Sequence, residues 1–167
     1  MPVGGIRKHV ETILLDDSKE NIKYFFIYSN IASDAQFKKN RSLIDKNTEA
    51  LLALPIHKVP LPTDVYNIAK IILFVKKYKI DLIHCHGAKA GVLGRVVGRL
   101  TGTKTFYTPH GGSLHANRSI LMNRFYLFLE RVMVKWTTFF VFESEFSRQA
   151  FETKVAKIKN KIVNYNG

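Results

Sequence analysis

The sequence predicts an α/β protein built on a doubly wound parallel sheet. Three observations carry that expectation. Short runs rich in Ile, Val, Phe and Tyr alternate with segments of helical periodicity along most of the chain. Many of the runs end in Gly, His, Pro or Ser, the residues that turn a strand into a following helix. The longest apolar runs, such as IILFV and FFVF, fall far short of the roughly 20 residues that a membrane-spanning helix needs.

In chain order, Gly4 and Gly5 precede a segment with apolar residues at Ile6, Val10, Ile13 and Leu14, a helical spacing. IKYFFIYS, residues 22–29, reads as a strand. Residues 31–54 are polar and charged before they turn to EALLAL, and they give no clear reading. HKVPL, residues 57–61, reads as a short strand closed by Pro60 and Pro62. DVYNIAKIILFVKKY reads as a helix, with Asp64 near its start and lysines near its end as the helix dipole prefers. KIDLIHCHG reads as a strand, and AKAGVLGRVVGRLTG as a helix full of small residues stopped by Gly102. TKTFYTP is a strand, residues 118–136 a long helix, TTFFVFES a strand, EFSRQAFET a short helix and NKIVNYNG a last strand. No internal repeat or low-complexity segment interrupts this order, and the 167 residues are read as one domain.

In an open parallel sheet, ligands bind outside the carboxyl ends of the strands. Gly4 and Gly5, His86 and Gly87, His110 to Gly112, and Ser144 all fall after expected strand ends or in turns before helices. They are expected to gather along one edge. Gly4 and Gly5 serve either a plain turn or a backbone that approaches a phosphate. His84 and His86 lie two apart on a strand and share a face. They could bind a metal, but no motif places a third ligand. The other reading puts one against the core and one at the mouth of the crevice. His110, between Pro109 and two glycines, suits either a tight turn or an active site beside which a ligand comes close to the backbone.

Composition narrows the partners. The chain carries 26 Lys and Arg against 13 Asp and Glu, a net charge of +13. Residues 51–167 hold 18 basic and 6 acidic side chains, so nearly all of the excess lies there. Such a body favours phosphates, nucleic acid or an acidic membrane surface. The wealth of lysine is equally explained by genome composition. No helix-turn-helix, zinc finger or RNA-binding signature appears, so nucleic acid is not expected. Cys85 is the only cysteine, which rules out an internal disulfide and fits a reducing cytosol. The first residues, MPVGGIRKHV, show no signal-peptide pattern. On the helix at 118–136, the polar residues Asn123, Arg124, Glu130, Arg131 and Lys135 form a stripe about 140° wide. The rest is apolar. That is more than packing on one side of a sheet requires, so the helix is either buried among neighbours or faces a membrane surface or another domain.

GGIRKHV, DLIHCHGAKAGVLGRVVGRLTG, TFYTPHGG, FVFESEFSRQAF and the closing VNYNG, in this order, resemble the N-terminal domain of the family-four retaining glycosyltransferases, which have the two-domain GT-B fold. The resemblance implies a Rossmann-like acceptor-side domain over residues 1–167. It implies transfer of a sugar from a nucleotide-sugar co-substrate to a glycan or lipid-linked acceptor in cell-envelope synthesis, with retention, no metal and no other cofactor. By the same resemblance, His110 lies close to the transferred sugar, and Gly4, Gly5, Gly111 and Gly112 lie on the donor and phosphate side. His86, Lys89 and Ser144 line the acceptor side. The setting implied is the cytoplasm, at the inner face of the cell membrane. Only Met1, Pro2 and Val3 precede the glycine pair where the family has a strand, so the central strand is expected to be missing or truncated. The chain stops at Asn166-Gly167, where the family passes into its donor-binding domain. It is therefore expected to need that domain or a partner subunit, and not to turn over alone. Two readings of other classes stand beside this one: a non-catalytic module that binds an anionic ligand or a membrane surface, and a metal-dependent hydrolase using His84 and His86.

Overall fold

The computed structural model describes residues 5–15, 21–31, 35–110 and 120–165. The chain divides into two compact units, Met1–Asn67 and Ile68–Gly167. Strand pairing among the described residues is parallel throughout and falls in two sheets, one of two strands and one of four.

The first unit opens with α1 (Gly5–Leu14), then β1 (Phe25–Ser29), α2 (Ala35–Lys46) and β2 (Ala50–Leu54). β1 and β2 pair in register from Phe25↔Ala50 to Ser29↔Leu54. Val10, Leu14, Tyr28, Phe37 and Ile44 form its core. Glu11 is buried beside them and held by Arg7 Nη1 at 2.8 Å and by Asn40 Nδ2 at 3.2 Å.

Here the structure corrects one expectation. Residues 57–61 hold no strand; the strand is Ala50–Leu54, inside the stretch with no clear reading. The physics explains the exchange. Pro55, Pro60 and Pro62 have no N–H to give a ladder, so the segment around them stays irregular. ALLAL carries neither β-branching nor alternation, so only its pairing with β1 makes it a strand. The expectation that the family's first strand is missing or truncated concerns residues 1–3, which lie outside the described residues.

α3 (Thr63–Tyr78) leads into the second unit, followed by β3 (Leu82–His86), α4 (Ala88–Thr101) and β4 (Lys104–Thr108). Then come α5 (Ile120–Val134), β5 (Phe139–Phe142), α6 (Glu145–Lys154) and β6 (Lys161–Val163). The sheet order is β3-β4-β5-β6, each strand beside its sequence neighbour. The small residues of α4 now have a reason. A Cβ at Gly91 would overlap the Tyr107 ring, one at Gly94 the Cys85 sulfur, and one at Gly98 the Thr105 methyl. The helix therefore lies nearly in contact with β3 and β4. Gly102 ends it with φ 76°, a left-handed cap that a side chain would strain. Tyr107, Phe140, Phe142 and Phe151 centre the core of this unit.

Candidate active site

Pleating sorts the residues of β3 and β4 onto two faces. The parallel register sets His84 beside Phe106, Cys85 beside Tyr107 and His86 beside Thr108. Cys85 and Tyr107 face α4. His84 and His86 therefore share the opposite face, with ring centroids 4.1 Å apart.

That second face ends in a polar relay. His84 Nε2 lies 2.9 Å from the Thr108 hydroxyl. His86 Nδ1 lies 3.2 Å from His110 Nε2, and the two rings are tilted with centroids 5.4 Å apart. His110 Nδ1 is bonded to Glu143 Oε2. The three groups arrive from three successive strand ends. His86 closes β3, His110 stands two residues past β4, and Glu143 directly follows β5. His110 reaches its place with φ 51°, the left-handed region uncommon for a residue with a side chain. Its side chain is only 3% exposed, whereas Glu143 remains partly open.

The proton bookkeeping follows from chemistry. An ionised carboxylate only accepts, so Nδ1 of His110 carries the hydrogen given to Glu143. The Nε2 of a neutral His110 is then an acceptor, and His86 Nδ1–H can donate into it. A ligand hydroxyl that binds His110 Nε2 must take the place of His86. Such an arrangement fixes one ring rigidly and leaves one exchangeable hydrogen bond at the sheet edge.

The remaining site candidates are distributed as follows. Lys89 stands in the first turn of α4, three residues past His86 and partly exposed. Ser144 is the N-cap of α6: its hydroxyl accepts from Ser147 N at 3.1 Å, and Ser147 Oγ accepts in return from Ser144 N at 3.3 Å. That capping box takes one acceptor position of the Ser144 hydroxyl. Gly5 opens α1 in the first unit, and a Cβ there would meet nothing within 4 Å. Gly4, Gly111 and Gly112 lie outside the described residues. Among the described residues no group of three or more His, Cys, Asp or Glu could hold a metal ion.

Two features escaped the sequence reading. Glu143 obeys the same strand-end rule that selected Ser144 beside it, and its carboxylate, not the serine, reaches His110. The other is a closed network on the α4 face. Arg95 is fully buried, with its guanidinium 4.0 Å over the Tyr107 ring and its Nε donating to Gly91 O at 2.8 Å. Its Nη1 stands 2.8 Å from Glu130 Oε2, an ion pair without hydrogen-bond alignment. The Tyr107 hydroxyl donates to Glu130 Oε1 at 2.8 Å. Burial pushes the neighbouring Cys85 thiol up to about 12, against the opposing pull of Arg95, so the sulfur stays protonated and inert at neutral pH.

Comparison with known proteins fixes the family. The sequence profile of Glycosyltransferase Family 4 matches residues 3–167. The chain belongs to that family. An Escherichia coli UDP-Gal:alpha-D-GlcNAc-diphosphoundecaprenol alpha-1,3-galactosyltransferase is 31% identical over 81 residues, covering 48% of this chain and 21% of its own length. The structure of Anabaena HepE in complex with UDP and glucose superposes with a TM-score of 0.61 at 15% identity, covering 88% of this chain and 45% of HepE. A sucrose-phosphate synthase structure from Thermosynechococcus elongatus gives a TM-score of 0.54 at 13% identity, covering 87% and 90%. The Rossmann-like α/β fold is thus that of GT-B glycosyltransferases. This family-four chain spans about a fifth of its curated relative and under half of HepE.

Proposed function

We propose that residues 1–167 form the acceptor-side half of a retaining glycosyltransferase that moves a hexose from a nucleotide-sugar, of the UDP-sugar class, to a lipid-linked or glycan acceptor of the cell envelope. It works in the cytoplasm at the inner membrane face, without a metal or other cofactor. The donor half is supplied by a further domain or a partner subunit, so this stretch by itself does not turn over. The observation that carries the reading is the match to Glycosyltransferase Family 4 over nearly the whole chain. The relay of His86, His110 and Glu143 supports it by its place at the carboxyl edge of the sheet, where ligands enter this class of fold.

In this reading His110 hydrogen-bonds the transferred sugar through Nε2, once the sugar hydroxyl displaces His86. Glu143 holds the ring and its tautomer. His86, released, turns with Lys89 toward the acceptor. Gly5 leaves the first turn of α1 open to the donor phosphates.

The test is a transfer assay on the product as its source cells make it, with radiolabelled UDP-galactose and UDP-glucose and a lipid-diphosphate-linked amino sugar as acceptor. Transfer that persists in EDTA, with product of the donor's anomeric configuration, is the expected result. Binding of either nucleotide-sugar without transfer to any lipid-linked or glycan acceptor would overturn the reading in favour of a non-catalytic module.

A further inference from the structure

α5 presents an exposed apolar face apart from the candidate site. Its buried residues are Tyr126, Glu130 and Met133. On the opposite side, Leu121, Phe125, Phe128 and Val132 are all exposed. At 100° per residue these four fall within an arc of about 60°. Arg124 and Arg131 adjoin that arc on one edge, both exposed, and Lys135 follows in the turn after the helix. The only acid of α5 is Glu130, and it is turned inward to Arg95. The outward face therefore presents large apolar side chains and cations, with no carboxylate among them.

We infer that this face of α5 docks on an anionic lipid surface. The charge pattern selects that occupant. An apolar stripe one helix wide, bordered by guanidinium groups and free of acids, is the build of a helix that lies in a membrane interface. The basic excess of residues 51–167, 18 against 6, adds long-range attraction to the same target. Along the stripe the exposures are 79% at Leu121, 45% at Phe125, 60% at Phe128 and 37% at Val132, so every turn of the helix offers apolar surface. Arg131, whose Nη2 donates to Lys154 O at 2.9 Å, is tied to the body and stays at headgroup level. The inference gives the proposed membrane-face enzyme its contact surface, and it stands or falls apart from sugar transfer.

The experiment is flotation of the whole protein with vesicles of phosphatidylcholine alone and of phosphatidylcholine with phosphatidylglycerol, across a salt series. Binding to the anionic vesicles that weakens with salt is expected. Phe125→Ser with Phe128→Ser should weaken it about tenfold or more, and Leu121→Ser should weaken it by itself. Arg124→Gln and Lys135→Gln should each cost roughly fivefold. Melting temperatures of these surface variants should match the parent, which separates lost docking from lost folding. Absence of binding to anionic vesicles would overturn the inference, as would binding that the apolar variants leave unchanged. A solution dimer that the same variants dissociate would assign the face to a second copy instead. Vesicle binding in a protein that transfers no sugar would leave this inference intact and sink the proposed activity.

Discussion

The two faces of β3 and β4 carry polar networks of opposite kinds. On the α4 face, Arg95, Glu130 and Tyr107 close on one another with the core around them. On the other face, His84, His86 and Thr108 lead out to His110 and Glu143 at the sheet edge. The first network buries full charges and depends on its own pairing. The second uses neutral or singly charged rings, one of them held by a bond of 3.2 Å that a ligand could replace. Alternation along five-residue strands thus separates a network sealed in the core from one that reaches the sheet edge.

The comparison can be broken most forcefully at Glu130. Glu130→Ala leaves a buried guanidinium without its counter-charge and should lower stability by about 3–5 kcal/mol, read from urea unfolding. A loss under about 1 kcal/mol would mean that water reaches the α4 face and that the network is not closed. His110→Ala should do the reverse. In the native product it should reduce transfer by about 10²–10³-fold while unfolding changes little; unaltered turnover would remove His110 from the site. Gly94→Ala drives a methyl into Cys85 and should cost about 1–3 kcal/mol by overpacking, and thermal melting checks it. Glu143→Gln, at a partly open edge, should change stability by less than about 1 kcal/mol. It should lower kcat less than His110→Ala does, with KM nearly constant. A KM effect alone would make Glu143 a binding residue and not a positioning one.

The smallest effect is expected away from both faces, at α6. The Glu145 carboxyl is held below its ordinary 4.5 chiefly by Arg148. Burial works to raise Glu152, but Lys161, the Ile158 N–H and Arg148 together hold it below the same value. Carboxyls lowered on folding stabilise above their unfolded value and lose that contribution as pH falls through the lowered one. Acid titration should therefore weaken the α6–β6 end below about pH 4.5 and leave it unchanged between pH 5 and 8. A transition in that neutral range would point to the histidine face instead.

The second unit was largely legible in the sequence, because its strands are apolar and bounded by clear turn signals. Gly102 stops α4 as read, and the small residues of that helix mark a tight seat on β3 and β4. The first unit was less legible. ALLAL shows no strand pattern, and HKVPL shows one that its prolines cannot support. At the candidate site, the sequence singled out His86 and His110 because two histidines at strand ends stand out, and the structure sets their rings side by side. Glu143 was not, since one carboxylate in a charged stretch gives no signal until a strand register sets it beside a ring. The Arg95–Glu130 pair spans 35 positions between two helices, a separation that no local pattern encodes.

The burial of Cys85 has a practical side. The only thiol of the chain is sealed beneath α4 and stays protonated, so in the native protein it is silent toward maleimides and methanethiosulfonates. Within residues 1–167, a cysteine introduced at position 121, 128 or 132 would be the one accessible thiol. A spin label or fluorophore placed there would report the depth of each turn of α5 in a bilayer, with Cys85 left as it is.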